Sequence, residues 1–283
     1  MHRVGVHTSI AGGIHLSLER AHALGCTTLQ IFSHNPRVWA VRERSEEELA
    51  QFRRLRKEYD LSPVFVHTSY LINLASSSPD LKKRSIDMTV LELDAADSIG
   101  ADFVIIHTGS ASGEEPRIAR ARAIDSLREI GVRGTWKAGL LLENTAGERG
   151  DITSAIEDIG GIIDAVTGRL IGGMCLDTCH AFAAGYDLSS EKGIYRLSAA
   201  IERNITRQRL RLIHLNDSKG GLGSGLDRHE HIGQGRIGME GMRRIVRHEF
   251  FRGIPLILET PKKTDEDDPL NLARVRGLTH PPG

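Results

Sequence analysis

Eight short apolar runs alternate with longer charged segments along this chain, and no other feature narrows its fold as far. The runs are RVGVH, TLQIFS, PVFVH, DFVIIH, AGLLLE, IGGMCLD, LRLIHL and IPLILE. Their nearly continuous apolar character is that of strands buried on both faces. Between them lie segments such as EEELAQFRRLRKEY, LKKRSIDMTVLELDAADSIG and EPRIARARAIDSLREIG, where apolar residues recur at three and four, the spacing of one helix face. Strand then helix, about eight times in 283 residues, is the count an α/β (β/α)8 TIM barrel requires. A chain of this length could also divide into two modest domains. No linker marks a boundary, so residues 1–283 are read as one TIM-barrel domain. A polar tail after about residue 262 is predicted to hold a short helix and a frayed end.

The strand ends carry the functional signal. His7, His67, His107, Glu143, Asp177, His214 and Glu259 each close an apolar run, and from His67 onward they recur every 34 to 45 residues. In a barrel these positions converge on the C-terminal rim, where such enzymes place their active sites. A capping acid or a satisfied rim histidine explains any one of them. It does not explain six or seven together, because arbitrary polar termini would include Ser, Asn, Lys and Thr.

Two further segments add candidates. In CLDTCHAFAAGYD, Cys175 and Cys179 stand four apart with no second thiol pair to close a four-sulfur cage, so Asp177 and His180 are the better ligands. In HLNDSKGGLGSGLDRHEHIGQG, a glycine-rich loop leads from His214 to Asp227, His229 and His231. Residues two apart in an extended chain face one side. Asp227 and His229 can then address one ion, with His231 as a spare or supporting group. H-E-H is not the helical H-E-x-x-H of zinc proteases. The nine candidates His67, His107, Glu143, Asp177, His180, His214, Asp227, His229 and Glu259 exceed what one ion needs and suit two or three. Such clusters handle phosphoryl oxygens, which makes a phosphate ester or phosphodiester the natural substrate.

Composition sets outer bounds. Lysine plus arginine equals aspartate plus glutamate at 37 each, so global charge points to neither nucleic acid nor membrane. Three cysteines form no disulfide framework and fit a reducing cytoplasm. The opening MHRVGVHTSI lacks a signal-peptide core, and no run approaches the roughly 20 apolar residues of a membrane span. A cytoplasmic protein with no membrane partner is expected. The thirteen histidines are dispersed rather than clustered.

With these residues in view, the chain resembles endonuclease IV, the metal-dependent apurinic/apyrimidinic endonuclease family. HTSYLINLAS, LLLENTAG, CLDTCHAFAAGYDL, IHLNDSKGGLGSGLDRHEHIGQGRIG and GIPLILETP carry the likeness in the family's order over almost the whole chain. The resemblance implies three zinc ions per chain, with manganese as the alternative at some sites. It places His67, His107 and Glu143 at the first ion and Asp177, His214 and Glu259 at a second, with Glu143 bridging the two. His180, Asp227 and His229 fall at the third, and both cysteines are bystanders. The implied partner is double-stranded DNA with abasic sites or blocked 3′ ends, handled by a monomer. Arg37, Tyr70 and Leu71 match the positions that wedge and fill the bent duplex. A basic rim of Arg37, Lys219 and Arg228 would offset the neutral total charge.

Two other classes compete with this one. A sugar isomerase of the same architecture is richer in carboxylates and commonly uses a rim lysine, whereas histidine dominates here and favours zinc and hydrolysis. A zinc-stabilised damage binder without catalysis would keep the ligands and lose water activation. Cleavage by a lyase needs a desolvated lysine near the sugar. No strand ends in lysine, and the nearest identified from sequence, Lys219, lies in a glycine-rich loop. Hydrolysis 5′ to the lesion, leaving a 3′-hydroxyl and a 5′-deoxyribose phosphate, is therefore expected.

Overall fold

The computed structural model of the chain describes residues 2–279. Its elements run β1 (Val4–Val6), α1 (Leu16–Ala23), β2 (Leu29–Phe32), α2 (Glu46–Glu58), β3 (Val64–His67), α3 (Pro79–Ile99), β4 (Phe103–Ile106), α4 (Pro116–Arg133), β5 (Gly139–Glu143) and α5 (Ile156–Ala165). They continue with β6 (Ile171–Asp177), α6 (Thr178–Ala183), α7 (Glu191–Asn204), β7 (Leu210–His214), β8 (Asp217–Ser218), β9 (His229–Glu230), α8 (Gly238–Arg247), β10 (Leu256–Leu258) and α9 (Asp267–Thr279). All eight expected strands form. They pair in parallel in the order β1, β10, β7, β6, β5, β4, β3, β2, while β8 and β9 make a separate antiparallel ribbon. One parallel bridge, His7 to Gln30, closes β1 onto β2 and completes a TIM barrel.

Local chemistry sets the helix ends. Ser45 and Glu48 form a reciprocal capping box at the start of α2, a device whose cap alone contributes about 1 kcal/mol. Ser78 caps α3, Pro79 fills its first turn, and Gly100 ends it in the left-handed conformation. The tail expected after residue 262 holds a 13-residue helix, α9, with Leu272 and Val275 fully buried. It is the last packed helix of the barrel wall. The frayed end expected beyond it falls at residues 280–283, outside the described residues.

The barrel interior explains why the strand ends are polar. Phe65, Ile105, Leu141, Cys175, Leu212 and Ile257 form a small, fully buried cluster inside the sheet, separate from the large core between sheet and helices. Each stands two residues before one of His67, His107, Glu143, Asp177, His214 and Glu259. Side chains alternate along a strand, so the plug forces the next inward position of six strands into one layer directly above it. In β6 that aim depends on a bulge. The register to β5 skips from Leu140↔Ile171 to Leu141↔Gly173, and at Gly173 (φ +149) a Cβ would lie 2.0 Å from the Arg209 carbonyl oxygen. Only glycine fits there, and the bulge turns Cys175 and Asp177 inward.

Candidate metal centre

The inward layer and three further residues, His180 on α6, Asp227 in the loop before β9 and His229 on β9, gather into three groups. Ligand atoms of His67, His107 and Glu143 lie within 4.8 Å of one another, as do those of Glu143, Asp177, His214 and Glu259, and those of His180, Asp227 and His229. Glu143 belongs to the first two. Its Oε2 is 3.2 Å from Nε2 of His67 and 3.4 Å from Nε2 of His107, while its Oε1 is 2.9 Å from Nδ1 of His214. Nε2 of His229 stands 3.5 Å from both Asp177 and Asp227, which brings the third group against the second.

The imidazoles are oriented from behind. A carbonyl oxygen only accepts, so the ring nitrogen facing one carries the proton and the other nitrogen presents its lone pair. Nδ1 of His67 donates to the Thr68 carbonyl at 2.9 Å, Nδ1 of His180 to the Asn144 carbonyl at 2.9 Å, and Nδ1 of His229 to the Glu259 carbonyl at 2.9 Å. Nε2 of His214 donates to the Gln30 side-chain oxygen at 2.7 Å. The free nitrogens of all four face carboxylates. Nε2 of His180 and of His229 are buried and make no hydrogen bond, although Asp227 lies 3.2 Å from the former. Buried polar atoms left without partners cost free energy unless something binds them. Orphaned lone pairs beside carboxylates therefore fit a cation, and the mixed nitrogen and oxygen donors suit zinc.

Charge follows the same logic. Burial pushes the Glu143 carboxyl up, but His214 and His107, with hydrogen bonds from His214 and His67, hold it well below the usual carboxylate range. Burial opposes ionisation of Glu259 too, and His214 and His7 overcome it. For His180, burial is outweighed by Asp177, Asp227 and Glu143, which push the imidazole up to about 10, and a cation on Nε2 would take the place of the second proton. The site thus keeps its carboxylates ionised and draws positive charge toward them. The thiols do not share this character. Cys175 sits beside Glu143 and His214, and Cys179 near Asp177 and His229, but burial pushes each up to about 12.

Sequence-adjacent candidates separate here. Asp177 ends β6 and caps α6 by accepting from the His180 backbone N–H at 2.8 Å, so its carboxylate joins the second group while the His180 ring turns toward Asp227. His7 lies beside the centre, 3.6 Å from Glu259. His231 faces away and pairs with Asn271 and Asp267 on the α9 side. Three amides absent from the sequence reading hold the layer. Gln30 bridges Glu259 and His214, Asn144 pairs with the Asp177 backbone, and Asn216 donates to the Asp177 carboxylate while accepting from the Glu259 backbone. For Asn144 and Asn216 the signal was an amide just past a strand end, as in ENT and HLN; Gln30 lies inside β2 and carried no such signal.

The rim around the centre is shaped by Tyr70, 65% exposed and set edge-on against Phe32. On one side of it lies a cleft of about 1200 Å³ reaching Arg37, His7 and Glu259; on the other, one of about 310 Å³ reaching Leu71, His107, His180 and Asp227. Arg37, Lys219 and Arg228 are all exposed, with Lys219 3.9 Å from Glu230. A second lysine, Lys262, lines the larger cleft together with His7 and Glu259. Its Nζ donates to the His7 carbonyl at 2.5 Å and pairs with Asp268 at 2.7 Å.

Comparison with known proteins gives one consistent outcome. A family model described as a xylose isomerase-like TIM barrel matches residues 18–276. A protein of Methanoculleus marisnigri named probable endonuclease 4 is 41% identical over 276 residues, covering 97% of this chain and 98% of its own. The crystal structure of endonuclease IV from Thermus thermophilus superposes with a TM-score of 0.85 at 37% identity, over 98% of both chains. A D-tagatose 3-epimerase-like protein superposes at 0.72 with 17% identity, over 97% and 96% of the two chains, a likeness of fold alone. Among the described residues no helix is long and apolar enough to cross a membrane.

Proposed function

The chain belongs to the endonuclease 4 family, and from that premise and the rim geometry we propose that it is a DNA repair enzyme hydrolysing the phosphodiester 5′ to abasic sites. The products are a 3′-hydroxyl and a 5′-deoxyribose phosphate, and the same chemistry removes blocking groups from 3′ ends. Three zinc ions are held, the first by His67, His107 and Glu143, the second by Glu143, Asp177, His214 and Glu259, and the third by His180, Asp227 and His229. Manganese is the alternative at some of these positions. The observation that carries this reading is the convergence of the three groups on one rim, with Glu143 common to two of them.

Bound there, divalent ions supply Lewis acidity to the phosphate and make nearby water a better nucleophile at neutral pH. The chain's own residues do the rest. Glu143, fully ionised between its histidines, is the catalytic carboxylate that fixes the spacing of the first two groups. The histidines, each held from behind, keep their lone pairs aimed without rearrangement during turnover, which is where preorganised sites gain their advantage. Tyr70 and Leu71, standing over the centre with Arg37 across the cleft, bear on the bent duplex from the minor groove and hold the abasic nucleotide out of the stack.

The test is to cut a labelled abasic duplex, add a polymerase, and treat a parallel reaction with borohydride. Primer extension without covalent trapping supports hydrolysis. A trapped protein–DNA adduct with a non-extendable end overturns it, since a Schiff base would then have formed.

A further inference from the structure

Helix α3 carries a buried polar stripe that the chemistry at the rim does not use. Ser85, Thr89 and Glu92 are all fully buried, at helical spacing on one face. Ser85 Oγ accepts from the Asn73 backbone N–H at 2.9 Å, and Glu92 Oε1 accepts from the Ser69 backbone N–H at 2.8 Å. The helix therefore clamps the loop after β3 at Ser69 and at Asn73, and between those clamps stand Tyr70 and Leu71. Ser69 reaches the other way as well. Its hydroxyl donates to the Pro36 carbonyl at 2.7 Å and accepts from the Leu71 N–H at 3.2 Å. The next residue, Arg37, is fixed through its backbone N–H to the Asn35 side chain at 3.1 Å.

Glu92 is itself incompletely satisfied. Its Oε2 has no hydrogen-bond partner, nor does Nε2 of His34, and the His34 ring stands 4.0 Å from Oε1. His34 in turn is tied through Nδ1 to the Ser33 hydroxyl at 3.0 Å. A carboxyl fully buried beneath the loops after β2 and β3 costs free energy against an apolar residue of the same size. It persists in folds where it fixes one arrangement among several.

Resting on the reading of the protein as an abasic-site endonuclease, we propose that Glu92 is a positioning residue which, through Ser69, locks the loops bearing Tyr70 and Arg37 into one relative placement for engaging duplex DNA. It touches neither substrate nor the metal centre. It removes a freedom that the duplex would otherwise have to restrict on binding, and that ordering is what weakens association when it is left to the complex. Burial pushes the Glu92 carboxyl up to about 8 and lowers the His34 imidazole. At neutral pH the two form an uncharged pair, which matches their surroundings.

The experiment compares wild type with Glu92→Leu, Glu92→Gln and Ser69→Ala, measuring KM and kcat on an abasic duplex and turnover of bis(p-nitrophenyl) phosphate, a substrate with no strands to bend. Glu92→Leu is expected to raise the duplex KM about tenfold while leaving small-substrate turnover within about twofold, since only the duplex reads loop placement. Glu92→Gln keeps a neutral acceptor for Ser69 and restores the duplex KM. Ser69→Ala cuts the strap to Pro36 and reproduces the KM rise, which decides the matter if Glu92→Leu does not fold. An unchanged duplex KM in Ser69→Ala, parallel losses on both substrates, or a Gln variant as impaired as the Leu variant overturns the inference alone. Wild-type protein that leaves the abasic duplex intact overturns the functional reading and this inference with it.

Discussion

The side-chain oxygen of Gln30, on β2, lies 2.7 Å from Nε2 of His214, on β7, and thereby decides which nitrogen of that histidine faces Glu143. The same amide donates to Glu259 at 2.6 Å, so one uncharged residue orients two members of the second group. Groups that hold metal ligands from behind typically contribute about 10 to 100-fold to metal affinity. Gln30→Leu is accordingly expected to weaken zinc binding by about that factor, read by chelator competition, with the thermal midpoint of the metal-free chain nearly unchanged. Zinc affinity equal to wild type would mean that His214 is oriented by the barrel alone.

Glu143 offers a cleaner separation of charge from shape. Glu143→Gln keeps the side-chain volume and removes the negative charge that two groups share. Turnover on abasic duplex should fall well beyond tenfold with duplex affinity largely kept, because the loss is felt in the reaction and not in docking. Near-normal turnover would remove Glu143 from the catalytic role assigned to it.

Tyr70 and Arg37 act on the shape of DNA in this account. An aromatic contact to unstacked bases contributes about 1 to 3 kcal/mol, so Tyr70→Ala should weaken abasic-duplex binding by roughly tenfold or more. Arg37→Ala should act in the same direction, and neither change should affect a small phosphodiester. If both substrates suffer equally, these side chains serve the fold instead.

The Glu92 carboxyl also makes stability depend on pH. Its folded value is about 8 because burial penalises the charged form, against about 4.3 for an unfolded glutamate. Between those values the folded chain holds a proton that the unfolded chain has released. The contribution is complete below the unfolded value and is lost as pH rises through the folded one. Neighbouring His67 and the N–H of Ser69 moderate the shift without reversing it. Denaturant midpoints should therefore fall further between about pH 5 and about pH 9 for wild type than for Glu92→Gln, by an amount equivalent to a few kcal/mol at most. Parallel pH profiles would show that Glu92 stays ionised in the fold.

Much of this molecule was legible in its sequence because the deciding rules are local. Alternation of side chains along a strand places an apolar residue two positions before each strand-end candidate, so the plug of Phe65, Ile105, Leu141, Cys175, Leu212 and Ile257 and the layer above it follow from period two, except in β6, where the bulge at Gly173 also sets the aim. The helices between were equally plain from their three-and-four spacing. The polar tail, by contrast, announced a short helix but not that α9 packs, because its buried residues are spread thinly among charged ones.

Family resemblance aside, which candidate side chain stands beside which depends on three dimensions. Asp177 and His180 are three residues apart yet divide between two groups, because Asp177 still points with the strand while His180 already belongs to a helix that carries its ring toward Asp227. Gln30 meets a histidine that lies far away in sequence and becomes its neighbour only once the barrel closes. Glu92 reads as one more charge on a surface helix until the loops after β2 and β3 fold over it. Period and composition fix what a strand presents to the interior. The curvature of the closed sheet and the paths of its loops fix what each presented group meets there, and neither is a property of any single stretch of chain.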